Sequence, residues 1–287
     1  MRLVLHPRTM QELTALRQNP THAVALVGAR GSGKRTLAEQ IVAEVLGIEN
    51  EKLPNHPYFL QVNPDETTVS IEQVRELQHF TQLKTIGSAP IRRAVIILGA
   101  GYMTTEAQNA FLKLLEEPPA DTMLVLTVEN ERALLPTIMS RVRPIPVRQV
   151  PEAAVRAHFT ENFDQAAVEK AYFLSGGLPG LMQALLQDEQ THPLVGAVAT
   201  AKNILQKPTF ERLLLVDELS KKKDEARSTL QALQQIAETG LQGAGKQHDN
   251  AKIKRWHTVL TAVYEAEKAF AANANAKIVL TNLMLAF

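Results

Sequence analysis

Cysteine is absent from the 287 residues. Without it the chain has no disulfide and no thiolate metal site, which fits a reducing compartment. Long apolar runs are also missing. No stretch reaches the roughly 18 residues that a membrane helix requires, and the opening MRLVLHPRTMQ is too short and polar for a secretory signal. These absences lead us to expect a cytoplasmic protein with no membrane partner. Excess charge of one sign is lacking too: 31 Lys and Arg against 30 Asp and Glu leave a formal net charge of +1. Strong nucleic-acid binding by the isolated chain is therefore not expected, and any DNA contact would come from a local patch or a shared assembly. What is present is ordinary for a globular protein, with 45% hydrophobic and 21% charged residues. The length suggests two or three domains.

The first half alternates short apolar runs with amphipathic ones. AVALVG (23–28), YFLQVNP (58–64), RRAVIILGA (92–100) and TMLVLTVEN (122–130) read as strands, and RPIPVRQV as a last extended segment. Between them lie helical patterns. KRTLAEQIVAEVLG ends at Gly47. SIEQVRELQHFTQL carries Ile71, Val74, Leu77 and Phe80 at helical spacing behind a Ser70 cap. TTEAQNAFLKLLEEPP starts at a Thr104 or Thr105 cap and stops at Pro118 and Pro119. Strands that alternate with helices imply a parallel sheet covered by helices. After Pro151 the strand patterns cease. Helical pieces follow, with breaks expected at SGGLPG (175–180), LQKPT (205–209) and TGLQGAGKQHDN (239–250). The expected division is an α/β domain over 1–149, a small helical domain over 150–193 and a helical domain over 194–287.

GARGSGKRT (28–36) is the most informative stretch. Gly28, Gly31, Gly33 and Lys34 form a Gly-x-x-x-x-Gly-Lys loop between a strand and a helix, the context in which successive N–H groups turn onto phosphate oxygens. A hydroxyl normally follows the lysine and holds Mg²⁺. Here Arg35 occupies that place and stands to fill the vacated space, while Thr36 lies about 100° further round the helix. The second metal-handling group, a carboxylate at the end of a neighbouring buried strand, is also missing. Leu98, Gly99 and Gly101 occupy that region, and Glu106 comes too late. Two independent losses argue against ATP hydrolysis by the usual route. ATP or ADP at the loop, bound weakly or not at all, remains open.

AQNAFLKLLEEPP (107–119) followed by LLPTIMSRV (134–142) resembles the clamp-loader branch of the AAA+ proteins. HAVALVGARGSGKRTLA, SIEQVRELQHF, SGGLPG and ANANAKIVLTNLML agree with it, while the stretch 194–270 resembles it only thinly. The resemblance implies a RecA-like α/β domain, a helical lid and a helical collar through which subunits form a ring. It implies a stator-like subunit of a replicative polymerase holoenzyme with no ATPase activity of its own. The implied partners are the motor (gamma/tau) and delta subunits and the sliding clamp, with primer-template DNA reached through the assembled complex. It also assigns roles: Ser140 and Arg141 match a Ser-Arg-Cys motif whose arginine reaches a neighbour's ATP, although Val142 replaces the cysteine. The other reading of Arg141 is structural, as a partner to a carboxylate or a surface cation beside RVRPIPVR.

Three further positions qualify the resemblance. Many members carry a four-cysteine zinc module where LGIENEKLPNHPYF runs here, so no zinc is expected, and His56 alone is no metal site. ATP-sensing members carry a lid arginine where this chain has Leu181. Thr127 or Asn130 falls near a polar sensor position but reads equally as a strand-end cap. SKKKDEAR (220–227) and KQHDNAKIKRWH (246–257) mix both charge signs and read as solvated helix faces in preference to a DNA patch. Leu213, Leu214, Val216, Leu219, Val259, Leu260, Val263, Ala266 and Phe270 fit helical core or collar faces. Leu280, Leu283 and Leu285 suit either the core or a subunit contact. Two other functions compete with the stator reading: an active AAA+ motor ATPase, and an unrelated P-loop NTPase.

Overall fold

The computed structural model describes residues 3–64, 68–159, 162–187, 192–272 and 274–287. Thr160 and Glu161 of the first helical piece after Pro151, and Asn273 of the terminal stretch, lie outside them. The chain divides into two compact units, Met1–Val150 and Pro151–Phe287.

The first unit runs α1 (Pro7–Gln18), β1 (Ala23–Val27), α2 (Lys34–Leu46), β2 (Phe59–Val62), α3 (Ile71–Gln82), β3 (Arg93–Ile97), α4 (Thr105–Glu116), β4 (Thr122–Val128), α5 (Pro136–Met139) and β5 (Arg143–Pro146). The five strands form one sheet in the order β2-β3-β4-β1-β5, and every pairing is parallel. Parallel sheets need both faces covered, and period-2 alternation divides the strand residues between two cores. Ala23, Ala25, Val95, Ile97, Leu124 and Leu126 face one core with Leu77, Phe111 and Ile138. Val24, Leu26, Ala94, Ile96, Met123 and Val125 face the other with Leu13, Leu16, Leu37 and Ile41. The expected strands are all present but shorter.

Several helix ends follow their sequence signals. Gly47 takes a left-handed conformation after α2. Ser70 and Gln73 form a reciprocal capping box on α3, and the Thr104 hydroxyl accepts from Ala107 N at the start of α4. Helix α1 has no counterpart in the sequence reading. It buries only Thr9, Leu13 and Leu16, too sparse a stripe to announce a helix. The Thr9 hydroxyl donates to Pro146 O at 2.7 Å and fastens α1 to β5.

Arg93, at the start of β3, is 1% exposed. Its guanidinium donates to the carbonyls of Thr81 and Leu83 at the end of α3 and lies over the Phe80 ring, 5.4 Å from its centroid. This charge at a strand start is an internal cap for a helix C-terminus.

The second unit is all helical: α6 (Glu152–Phe159), α7 (Gln165–Ser175), α8 (Pro179–Leu186), α9 (Pro193–Gln206), α10 (Thr209–Leu214), α11 (Val216–Lys221), α12 (Lys223–Gln247), α13 (Asn250–Ala271) and α14 (Ala276–Leu285). Leu174, Leu178 and Leu181 share a core with Leu194, Val198, Leu233, Val263 and Leu283. Breaks occur at 176–178 and 207–208, but the long break expected over 239–250 does not form. Helix α12 continues through its glycines and stops only at His248, whose φ is 55°. Gly240 allows the Trp256 indole to pack closely, since a Cβ there would lie 2.4 Å from the ring. Val216, Leu219, Val259, Val263, Ala266, Phe270, Leu280 and Leu283 are buried as the periodicity suggests, and Leu213 and Leu260 pack partly against the same core. Leu214 and Leu285 instead face outward. Among the described residues no helix is long and apolar enough to cross a membrane.

Replacing Arg93 by Met should cost about 3 kcal/mol, because a buried carbonyl at Thr81 and a part-buried one at Leu83 lose a charged donor. Urea unfolding of both chains measures it, and a loss below about 1 kcal/mol would show that the cap is dispensable.

Candidate functional site

At the carboxyl edge of the sheet, β1 feeds the glycine loop and β4 runs alongside it. Gly28 N donates to Val128 O at 3.1 Å, and a Cβ on Gly28 would lie 2.5 Å from Val147 O. Only glycine allows that approach. Gly31 and Gly33 adopt φ of 82° and 81°, the left-handed region that other residues avoid, and Gly33 starts α2. The sequence therefore builds the phosphate-loop backbone as its spacing implies.

The side chains depart from that pattern. Lys34 Nζ donates to Gly28 O at 2.5 Å and to Ala29 O at 2.8 Å, so its ammonium is engaged by the loop's own carbonyls. Arg35 does not fill the space beside it. It turns outward, with side-chain exposure of 65%, and pairs with Glu39 one helical turn on at 2.9 Å. No hydroxyl takes the metal-binding place. On β3's side, Gly99 opens a short 3-10 turn, and its N–H donates to the Thr127 hydroxyl at 2.9 Å. Thr127 is buried, and both it and Asn130 line the cleft.

The cleft beside the loop has a volume of about 310 Å³ and is lined by Arg30, Lys34, Tyr102, Glu129 and Asn130, with Gly99 and Gly101 opposite. Glu129 escaped the sequence reading. A carboxylate was sought after β3, whereas Glu129 follows β4, the strand paired to β1. Its signal is the TVEN ending of a fully buried run. The Tyr102 hydroxyl donates to Glu129 Oε1 at 3.2 Å, and Arg30 Nε lies 3.9 Å from the same oxygen. Mg²⁺-ATP does not fit this set. The ammonium is spoken for, no metal ligand follows it, and an anion already lines the cleft. Among the described residues no group of three or more His, Asp or Glu could hold a metal ion. Leu181, at the lid position, is 2% exposed within the helical unit's own core.

Ser140 and Arg141 lie elsewhere on the first unit, after α5. Arg141 Nη1 donates to Thr137 O at 3.0 Å and to the Ser140 hydroxyl at 3.3 Å. Its Nη2 lies 3.0 Å from Glu116 Oε1 at the end of α4, with side-chain exposures of 37% and 52%. The Ser140 hydroxyl itself donates to Thr137 O. Val142, in place of the cysteine, is buried in the sheet's core. Neither Ser140 nor Arg141 lines the cleft beside the glycine loop.

Burial pushes the Lys34 ammonium down to about 8; the Glu129 carboxylate opposes the shift and Arg30 adds to it. The unfolded chain holds this proton up to its ordinary value of 10.5. Folding therefore carries a cost below about pH 8 that fades as pH rises to 10.5, and Lys34's contribution to stability improves across that window. The Nζ resonance should titrate near 8 by NMR, and the stability difference between Lys34→Met and wild type should shift in favour of wild type over the same range. A midpoint at the ordinary lysine value would contradict the burial.

Residues 6–151, just over half of the chain, match the family model described as DNA polymerase III, delta subunit. The chain is 30% identical over 173 residues to DNA polymerase III subunit delta' of Bacillus subtilis (strain 168), covering 55% of this chain and 52% of that protein. It is 34% identical over 193 residues to subunit delta' of Pseudomonas aeruginosa PAO1, covering 59% and 57%. It is 28% identical over 163 residues to subunit gamma/tau of Mycobacterium tuberculosis H37Rv, covering 51% and 28%. The matches span about half the length of the delta' relatives. A DNA polymerase III gamma subunit-related protein from Thermotoga maritima superimposes with a TM-score of 0.55 at 19% identity, covering 97% of both chains, which is a likeness of fold. That fold is a RecA-like AAA+ unit followed by helical segments. With its phosphate loop, its Ser140-Arg141 pair and a match from residue 6 to residue 151, the chain belongs to the DNA polymerase III delta subunit family and is delta'-like.

Proposed function

We propose that this chain is a non-hydrolysing, stator-like subunit of a DNA polymerase III clamp loader, and that Arg141 completes the ATP site of a neighbouring motor subunit. One observation carries the reading: a phosphate-loop backbone is retained while Lys34 donates to the loop's own carbonyls, Arg35 replaces the metal-binding hydroxyl and the end of β3 carries no acid. Such a loop is useful as a scaffold for the sheet edge but not as a hydrolytic centre.

Arg141 suits work in trans for an energetic reason. Its pair with Glu116 is solvent-exposed, and exposed pairs of this kind contribute only about 0.2–1 kcal/mol. A polyphosphate from another chain can displace Glu116 at little cost. Meanwhile Thr137 O and the Ser140 hydroxyl hold the guanidinium's other edge. A guanidinium aimed at a transferring phosphoryl group stabilises its developing charge and raises rates by about 10³–10⁵ in other systems. In this reading the partners are motor (gamma/tau) and delta subunits, the sliding clamp, and primer-template DNA through the assembled complex. The helical half would divide into a lid over 150–193 and a collar over 194–287. The gamma/tau similarity keeps an active motor as the competing reading, but Arg35, the bare end of β3 and buried Leu181 weigh against it.

The isolated chain should release no phosphate from Mg²⁺-ATP above background. Steady release abolished by Lys34→Ala would overturn the non-hydrolysing reading. In complexes reconstituted with motor and delta subunits, Arg141→Ala should leave assembly intact and cut DNA- and clamp-stimulated ATPase by about tenfold or more. Arg141→Lys should restore little, since lysine lacks the planar fork. Equal rates at equal occupancy would return Arg141 to its Glu116 pairing as a purely structural residue.

A further inference from the structure

The disagreement between the loop and its expected ligand has an identifiable centre. A phosphate loop converges amide N–H groups and a lysine on an anion, and the bound phosphate balances that positive field. Here the balance comes from within the chain. Arg30 and Lys34 line the cleft, and Glu129 is the carboxylate among the lining residues. Its oxygen lies 3.9 Å from Arg30 Nε and accepts from the Tyr102 hydroxyl at 3.2 Å. We propose that Glu129 is the specificity-determining residue that keeps polyphosphates out of this loop, serving as a tethered anion in the cleft where a nucleotide's terminal phosphates would bind.

The position of Glu129 supports this role. It follows immediately on β4 (Thr122–Val128), a strand buried along its whole length and paired residue by residue with β1, so that Val27 lies opposite Val128. The backbone of Glu129 is therefore fixed at the edge of the cleft, with the side chain 44% exposed beside Arg30. An incoming triphosphate would meet it at close range, where like charges repel strongly. It would also have to draw Lys34 away from Gly28 O and Ala29 O. Carboxylate and lysine act together: the first supplies the anion, and the second no longer needs an external one. The lowered lysine proton affinity, which Glu129 partly restores, is consistent with their proximity.

The proposal deepens the non-hydrolysing reading and rests on it. Its test is a fluorescence titration of the full chain with methylanthraniloyl-ADP and -ATP, with and without Mg²⁺. Wild type, Glu129→Gln, and Glu129→Gln combined with Lys34→Ala are compared. Removing the charge should tighten nucleotide binding by about tenfold or more, and the added Lys34→Ala should abolish the gain. Inorganic pyrophosphate should raise the melting temperature of Glu129→Gln more than that of wild type. If Glu129→Gln melts well below wild type, Glu129→Ala at this exposed position carries the same comparison. Equal affinities in wild type and the charge-free variants would overturn the role of Glu129 while leaving the non-hydrolysing reading intact. Lysine-dependent ATP turnover by wild type would overturn that reading whatever the Glu129 variants do.

Discussion

A parallel sheet covered on both faces leaves polar chemistry little room. Strands β3 and β4 are buried along their full length, so a charged side chain within them must find an internal partner, as Arg93 does on the end of α3. The glycine-loop cleft lies at the carboxyl edge, where strands open into loops, whereas Arg141 lies just before β5 begins. The order β2-β3-β4-β1-β5 then decides which loops meet. It places the end of β4 beside the glycine loop and the end of β3 one strand further away. The charge content of the cleft follows from that arrangement. The strand next to β1 supplies an acid, Glu129, and the strand beyond it supplies glycines.

Much of this edge was legible in the residues. The spacing of Gly28, Gly33 and Lys34, the Ser70 and Thr104 caps and the stop at Gly47 are local signals, each satisfied by backbone within a few positions. What escaped depends on pairing between distant segments. Glu129 is unremarkable until β4 is known to lie against β1. The role of Arg93 depends on α3 ending over it. Helix α1 is stabilised by Thr9 reaching Pro146 O across 137 positions, which no periodicity reveals. The error in α12 was of the opposite kind. Glycines at 240, 243 and 245 weaken a helix in isolation by about 1 kcal/mol each, and only the Trp256 packing against Gly240 shows why the helix continues.

The two arginines that flank missing functions behave differently, and exposure separates them. Arg35 occupies the place of a metal-binding hydroxyl, yet it is the more exposed of the two and satisfies itself within α2 through Glu39. It contributes by what it replaces. Arg141 is less exposed and is held at three points by Thr137 O, Ser140 and Glu116, a restraint that reduces the rotamer entropy lost when a long cation engages a phosphate.

Glu116 and Glu129 hold complementary positions in this scheme. Each is a surface carboxylate near a cation that an ATP phosphate would otherwise attract. Glu116 sits at the end of a helix and contacts a single guanidinium edge, so it yields readily to a stronger anion. Glu129 follows a wholly buried strand and accepts from Tyr102 in a cleft that Arg30 and Lys34 also line, so it has a second partner besides a guanidinium. The same residue type therefore serves opposite ends. In the proposed scheme the first keeps a cation ordered for another chain's phosphate, and the second keeps phosphate from the chain's own loop. The difference lies in the partners of each: Glu116 meets one guanidinium, whereas Glu129 also accepts from a tyrosine hydroxyl.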